Sequence, residues 1–126
     1  MKNLAVLYYN EGYNCSQCIL KAFEDKYSYH IEPTLYKSLN AVNTGLGVGS
    51  VCSAIVAGIM IFGLVFDDAT AHRTRLKLLA DFDAYYGSIN CSGLNNARTR
   101  YGSCEKIISA AAYFTEMILL EEGFRQ

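Results

Sequence analysis

The sequence lacks an excess of either charge, which limits the partners it can attract electrostatically. Its 11 Lys and Arg residues are nearly balanced by 12 Asp and Glu residues, so the formal net charge is -1. The two signs are mixed along the chain, and this pattern favours neither a basic nucleic-acid-binding face nor an acidic tail. We therefore expect no nucleic-acid partner.

The sequence is also short of long hydrophobic runs, and we expect neither a leader peptide nor a membrane-spanning segment. The apolar part of residues 1–10 is short and is followed by polar residues, unlike a signal peptide with its small-residue cleavage site. The strongly apolar segment 51–66 carries no charge, but it is shorter than the roughly 20 residues that span a bilayer. These features predict a cytoplasmic protein with no membrane partner.

Strand signals are absent as well, whereas helix signals recur. No alternating or hairpin pattern stands out, and the single proline, Pro33, suits the first turn of a helix. Asn14 and Gln17 form a capping-box pattern, and Gly87 marks a helix end. Capping residues and apolar spacing predict helices over residues 4–11, 15–29, 33–42, 51–66 and 68–86 and a last helix from Cys104 onward, after a Ser103 cap.

These helices predict one all-α domain covering residues 1–126, because a chain of this length has no room for a second domain. We expect a bundle of five or six helices around a buried central apolar helix, residues 51–66. That helix has almost no polar face, and Ile118, Leu119 and Leu120 follow one another in the last helix. The surplus apolar surface predicts a homodimer.

Five cysteines carry the main functional signal. In a reducing compartment they are better explained as ligands or redox thiols than as disulfides, and an odd number prevents complete pairing within the chain. Cys15, Cys52 and Cys104 fall in predicted first helical turns, and Cys91 falls in a loop. First turns expose unpaired N–H groups and the positive end of the helix dipole, so we expect them to favour the thiolate.

Cys15 and Cys18 form a C-x-x-C pair, "CSQC", which alone is a weak signal. A thioredoxin-like site would follow a strand, and a c-type haem attachment would place histidine where Ile19 stands, so no c-type haem is expected. A closed zinc site would usually contain a second pair of cysteines with this spacing, whereas Cys52, Cys91 and Cys104 stand singly in the sequence. We therefore expect Cys18 to be either an accessory thiol of the site or a small core residue.

Several segments together resemble a known family. "GYNCSQCILKAF" from Gly12, "GLGVGSVCSAIVAGIMIFGL" from Gly45, and then Cys91 and Cys104 are similar to the redox-active family named for the pattern C_GCAxxG_C_C. The resemblance covers nearly the whole chain. It assigns the four characteristic cysteines to Cys15, Cys52, Cys91 and Cys104, and it places family glycines at Ser53 and Ala57. A related domain in the split-Soret cytochromes implies a mainly helical fold with an iron–sulfur centre.

Other polar residues add less. Arg98 and Arg100 lie between Cys91 and Cys104 and could offset the charge of a thiolate site, or they could belong to an ordinary solvated loop. His30 and His72 lack any motif spacing with a cysteine or carboxylate, so we expect structural or surface roles for them.

Three functional hypotheses follow. The first is a small redox protein in which Cys15, Cys52, Cys91 and Cys104 bind an iron–sulfur cluster and exchange electrons with a redox partner protein. The second is a metal-free dithiol–disulfide protein that uses the same thiols. The third is a structural helical oligomer with inert or zinc-bound cysteines. The sequence does not decide whether the protein is an enzyme.

Overall fold

The computed structural model describes residues 1–94 and 103–124. These residues form six α-helices: α1 (Lys2–Asn10), α2 (Cys15–Tyr27), α3 (Pro33–Ser38), α4 (Ser53–Val65), α5 (Asp68–Tyr86) and α6 (Glu105–Glu121). An irregular glycine-rich turn, Gly45–Gly49, precedes α4, and a 3-10 turn, Ser92–Leu94, follows α5. Within the described residues the only β-type pairing is an isolated bridge between Val51 and Asn90. The prediction of an all-α, single-domain bundle is confirmed.

Two helices begin or end where local chemistry predicts. The Asn14 side chain accepts hydrogen bonds from the backbone of Ser16 and Gln17, and the Gln17 side chain accepts one from the Asn14 backbone, which completes the capping box of α2. Helix α5 has the predicted bounds and ends at Gly87, whose φ of 77° lies in the left-handed region. Glycine adopts this conformation without a Cβ clash.

Other helix boundaries differ from the prediction. Helix α1 begins at Lys2 rather than at residue 4. Helix α3 ends at Ser38 and does not reach Val42, because the chain turns directly after Ser38. Cys52 and Cys104 are N-cap residues of α4 and α6 rather than first-turn residues. At Cys52 the reason is tertiary: its backbone N–H donates to Ile89 O, and this pairing holds the chain extended until α4 begins.

Helix α4 packs against α2, α5 and α6 and forms the middle of the bundle. Phe23, Phe62 and Phe82, from α2, α4 and α5, are fully buried around it. Burial of each such side chain contributes about 2–3 kcal/mol of hydrophobic stabilisation. The predicted central apolar helix is therefore present.

The expectation that this helix is buried on all sides is wrong. One side of α4 carries a partly exposed apolar stripe, which we call the α4 stripe: Val56, Ile59, Met60, Gly63 and Leu64. Leu64 is 41% exposed. The neighbouring helices cover the opposite side of α4, and in the described part of the chain nothing covers the stripe fully.

Helices α4, α5 and α6 approach one another closely at Gly58. A Cβ at this position would lie 2.4 Å from Thr115 Oγ1 and 2.8 Å from Leu78 Cδ2. Both separations are shorter than a normal van der Waals contact, so the close approach depends on the missing side chain.

Glu116 links α6 to α1 and α2. Its carboxylate binds the α-amino group of Met1 at 2.9 Å and Lys26 Nζ at 2.6 Å, and it accepts a hydrogen bond from the Tyr27 hydroxyl. Burial alone would raise the pKa of Glu116, but these donors outweigh it and lower the pKa to about 2. Glu116 is thus charged across the ordinary pH range.

None of the helices in residues 1–94 and 103–124 combines the length and the hydrophobicity needed to cross a bilayer.

Candidate cysteine-cluster site

Four cysteines line a single cavity of about 240 Å³. Cys15 begins α2, Cys52 caps α4, Cys91 follows α5, and Cys104 caps α6. The cavity is also lined by Tyr9, Asn14, Asn43, Thr44, Gly45, Ser53, Leu94, Ile107 and Ile108. Residues from distant parts of the sequence therefore share one partly apolar pocket.

The backbone fixes Cys52 and Cys91 beside each other. Cys52 N donates to Ile89 O at 2.9 Å, and Cys91 N donates to Ser50 O at 2.7 Å. These two bonds flank the bridge between Val51 and Asn90. The two cysteine-bearing loops thus pair in register, as short antiparallel strands would.

The glycine-rich turn at the cavity has an unusual backbone. Gly45 has a φ of +56°, and a Cβ there would lie 2.3 Å from both the backbone N and the backbone O of Ser50. Its neighbours Thr44 and Leu46 also have left-handed φ values, 59° and 63°. Non-glycine residues in this region cost about 1–2 kcal/mol each, and such strain concentrates at functional sites.

The thiol of Cys52 does not favour the thiolate form, contrary to the expectation for a cysteine at a helix start. Its side chain is buried, and burial raises its pKa to about 12. The backbone N–H groups of Ala54 and Ile55 act in the opposite direction, while Cys15 and Cys91 raise the pKa further. The dipole argument is therefore wrong for Cys52, because desolvation of the thiolate exceeds the help from two N–H groups.

Cys15 is half-buried and faces α4. Its Sγ lies 2.6 Å from Ser53 Oγ. The preceding residue, Asn14, donates from Nδ2 to Leu39 O at 2.9 Å, which holds the start of α2 against the segment that follows α3. This bond and the capping box together fix the position of Cys15.

Cys104 lies near Tyr9 of α1. Burial raises the pKa of Tyr9, and the nearby Cys104 and Cys15 raise it further, so the phenol stays protonated. Tyr9 was not identified from the sequence, since no motif or spacing distinguishes it from the other tyrosines. Its position depends on how α1 packs against α6.

Cys18 does not line the cavity. It is fully buried in the core, and its Sγ donates to Cys15 O at 3.3 Å. Burial raises the pKa of its thiol. This position agrees with a core role for the second cysteine of the C-x-x-C pair.

Neither His30 nor His72 lines the cavity. Arg98 and Arg100 lie outside the described residues. His30 is exposed and contacts Glu32 at 3.1 Å, and His72 is exposed on α5.

The sulfur atoms of the cavity cysteines are the type of ligand that soft metal centres use. All five cysteines are thiols rather than disulfides. In the described part of the chain, no group of three or more His, Cys, Asp or Glu side chains meets the requirements for holding a metal ion. Four cysteine side chains around a common cavity nevertheless match the ligand type and number that iron–sulfur clusters use.

Comparison with protein families gave a match over most of the chain. Residues 13–118 match the family described as "Putative redox-active protein (C_GCAxxG_C_C)". No curated protein and no solved structure matched the chain.

The pattern in the family description corrects one detail of the sequence interpretation. With Cys52 as the cysteine of the GCAxxG element, the pattern's alanine falls at Ser53, and its two glycines fall at Val51 and Val56. The placement of family glycines at Ser53 and Ala57 is therefore wrong. The match nevertheless covers most of the sequence and all four cavity cysteines. The chain belongs to the C_GCAxxG_C_C family.

Proposed function

We propose that this protein is a small electron-transfer protein in which Cys15, Cys52, Cys91 and Cys104 bind an iron–sulfur cluster. The observation that carries the proposal is the convergence of these four cysteines, from four separate segments, on one cavity. Membership of a redox-active family supports a redox role.

The environment of Cys52 supports a metal centre over free thiols. A buried thiol with a pKa of about 12 is protonated at neutral pH and is a poor nucleophile. Metal ions deprotonate the thiols that bind them, because their positive charge offsets the cost of burying the thiolate. The buried position of Cys52 is therefore better suited to a ligand than to a free attacking thiolate.

When bound, an iron–sulfur cluster supplies one-electron redox chemistry. The protein contributes the rest through its own residues. The N–H groups of Ala54 and Ile55 act on Cys52 Sγ and stabilise negative charge there. Leu94, Ile107 and Ile108 line the cavity with apolar surface and limit the access of water. Both effects influence the potential at which an electron is accepted.

The proposal includes a reducing location and protein partners. Five thiols in one small chain are compatible with the cytoplasm, where disulfides are rare. A redox partner protein would supply or receive the electron. The partly exposed α4 stripe supports pairing with a second copy, which would cover apolar side chains such as Leu64.

Iron and acid-labile sulfide assays on anaerobically purified protein test the proposal. We expect both elements in wild-type protein and a severe loss of both in Cys15→Ser, Cys52→Ser, Cys91→Ser and Cys104→Ser. Cys18→Ala is the matched control and should keep them, because Cys18 does not line the cavity. Circular dichroism should show helical protein in every variant. Wild-type protein without iron, or equal loss in the Cys18→Ala control, would contradict the proposed ligand set.

A metal-free dithiol–disulfide function is the second candidate. It is favoured by the electrostatic effect of Cys15 and Cys91 on Cys52, which indicates that the three sulfurs are neighbours. One cysteine thiolate would attack a substrate disulfide, and a second would then displace the reduced substrate, so that two electrons pass to the substrate and an internal disulfide forms. Protein without iron that forms such a disulfide reversibly would support this function instead.

A further inference from the structure

We propose that Ser53 raises the reduction potential of the cysteine site by donating a hydrogen bond to Cys15 Sγ. This inference rests on the proposed redox function and deepens it. Ser53 Oγ lies 2.6 Å from Cys15 Sγ, and Ser53 is 2% exposed. Ser53 is the first residue of α4 and Cys15 is the first residue of α2, so the contact joins two helix starts at the cavity wall.

The direction of the hydrogen bond follows from the state of the sulfur. A cysteine sulfur that binds a metal is a thiolate and carries no proton. Ser53 is then the donor of this pair, and Cys15 Sγ is the acceptor. Hydrogen bonds to charged acceptors are about twice as strong as neutral ones, and burial of the hydroxyl removes competing water.

The effect on the potential follows from where the charge goes. Reduction of the site adds one electron, and no bond to Cys15 or Ser53 forms or breaks. Part of the added negative charge falls on the ligand sulfurs, so the hydrogen bond is stronger in the reduced state than in the oxidised state. The proton stays on Ser53. Stabilisation of the reduced state raises the potential.

The family pattern supplies a natural reference for this residue. Its element GCAxxG has alanine after the cysteine, where this chain has Ser53. Alanine has no hydroxyl and cannot donate to Cys15. Ser53→Ala therefore removes the hydrogen bond while introducing the residue that the pattern itself contains.

Ser16 provides a matched control. It follows Cys15 in α2 and is fully buried, like Ser53. Its Oγ donates to Asn14 Oδ1 at 2.7 Å rather than to a sulfur. Ser16→Ala thus removes one buried hydroxyl beside the site without removing a bond to Cys15.

The test is an equilibrium redox titration of anaerobically purified wild-type protein, Ser53→Ala and Ser16→Ala. We expect Ser53→Ala to lower the equilibrium constant for reduction about tenfold, a fall of about 59 mV for one electron. Ser16→Ala should stay close to wild type. Equal potentials for wild type and Ser53→Ala would overturn the inference and leave the proposed function standing. Wild-type protein without a redox centre would overturn both.

Infrared spectra of the reduced, metal-free protein test the hydrogen bond without the cluster. The S–H stretching band of Cys15 is identified by its loss in Cys15→Ser. We expect this band to shift in Ser53→Ala and to keep its position in Ser16→Ala. An unchanged band in Ser53→Ala would contradict the contact between Ser53 and Cys15.

Discussion

Replacement of Gly58 by alanine tests the close approach of α4, α5 and α6. Alanine in place of a helical glycine gains about 1 kcal/mol in helix propensity. At Gly58, however, the new Cβ would lie 2.4 Å from Thr115 Oγ1 and 2.8 Å from Leu78 Cδ2. Overpacking of this kind costs about 1–3 kcal/mol. The net expectation is a loss of roughly 0–2 kcal/mol in the free energy of unfolding.

Gly63 in the same helix is the matched control. A Cβ at Gly63 meets nothing within 4 Å, so Gly63→Ala should gain up to about 1 kcal/mol in stability. The two variants should then differ by about 1–3 kcal/mol, with Gly58→Ala the less stable. Urea unfolding followed by helical circular dichroism measures this difference. Measurements at two protein concentrations separate it from any contribution of self-association, because Gly63 belongs to the α4 stripe.

A second substitution identifies the clash. The Thr115 hydroxyl is buried and has no hydrogen-bond partner in the described part of the chain, so Thr115→Ala removes the obstructing atom without losing a hydrogen bond. Combined with Gly58→Ala, it should restore much of the lost stability, with a coupling of about 0.5–3 kcal/mol. If Gly58→Ala is as stable as Gly63→Ala, or if Thr115→Ala gives no coupling, the packing argument fails.

Three further predictions concern the loop, the ion pairs and the surface. Gly45→Ala should lower the iron content and destabilise the fold by at least about 2 kcal/mol more than Gly47→Ala does. Both glycines have a positive φ, but only at Gly45 would an added Cβ meet backbone atoms. Equal iron content and equal urea midpoints for the two variants would refute this prediction. Glu116 has a depressed pKa of about 2, so it should contribute up to about 3 kcal/mol above the unfolded-state pKa, a contribution lost as pH falls through the folded value. Glu116→Gln should remove that pH dependence from unfolding curves, and an unchanged dependence would exclude this role. Light scattering at micromolar concentration should show a dimer that Leu64→Glu converts to a folded monomer, whereas a monomeric wild type would exclude the dimer.

The helices could be predicted where their ends depend on neighbouring residues. The capping box of Asn14 and Gln17 and the left-handed Gly87 are local features, so α2 begins and α5 ends where the sequence indicates. The start of α4 could not be placed correctly, because Cys52 is held extended by its bond to Ile89, which is distant in sequence.

The site was predictable only in part, and for a similar reason. Spacing alone does not group Cys15, Cys52, Cys91 and Cys104. The family resemblance groups them, and all four line one cavity in the structure. Tyr9 carries no sequence signal, because its position at the cavity depends on how α1 packs against α6. The sequence indicates that Cys52 lies at a helix start but not how deeply it is buried, so it does not predict that the thiol pKa is raised.

The pairing of the Cys52 and Cys91 loops has a consequence for how the site forms. Many iron–sulfur ligands lie a few residues apart in one loop, so a short segment can carry most of the site. Here the bridge between Val51 and Asn90 joins segments separated by the whole of α4 and α5, and the entropy of closing such long loops is offset only when the bundle packs. A peptide excised around any one of these cysteines would therefore lack the site. Because the site forms only when the bundle packs, its formation would indicate that the protein has folded.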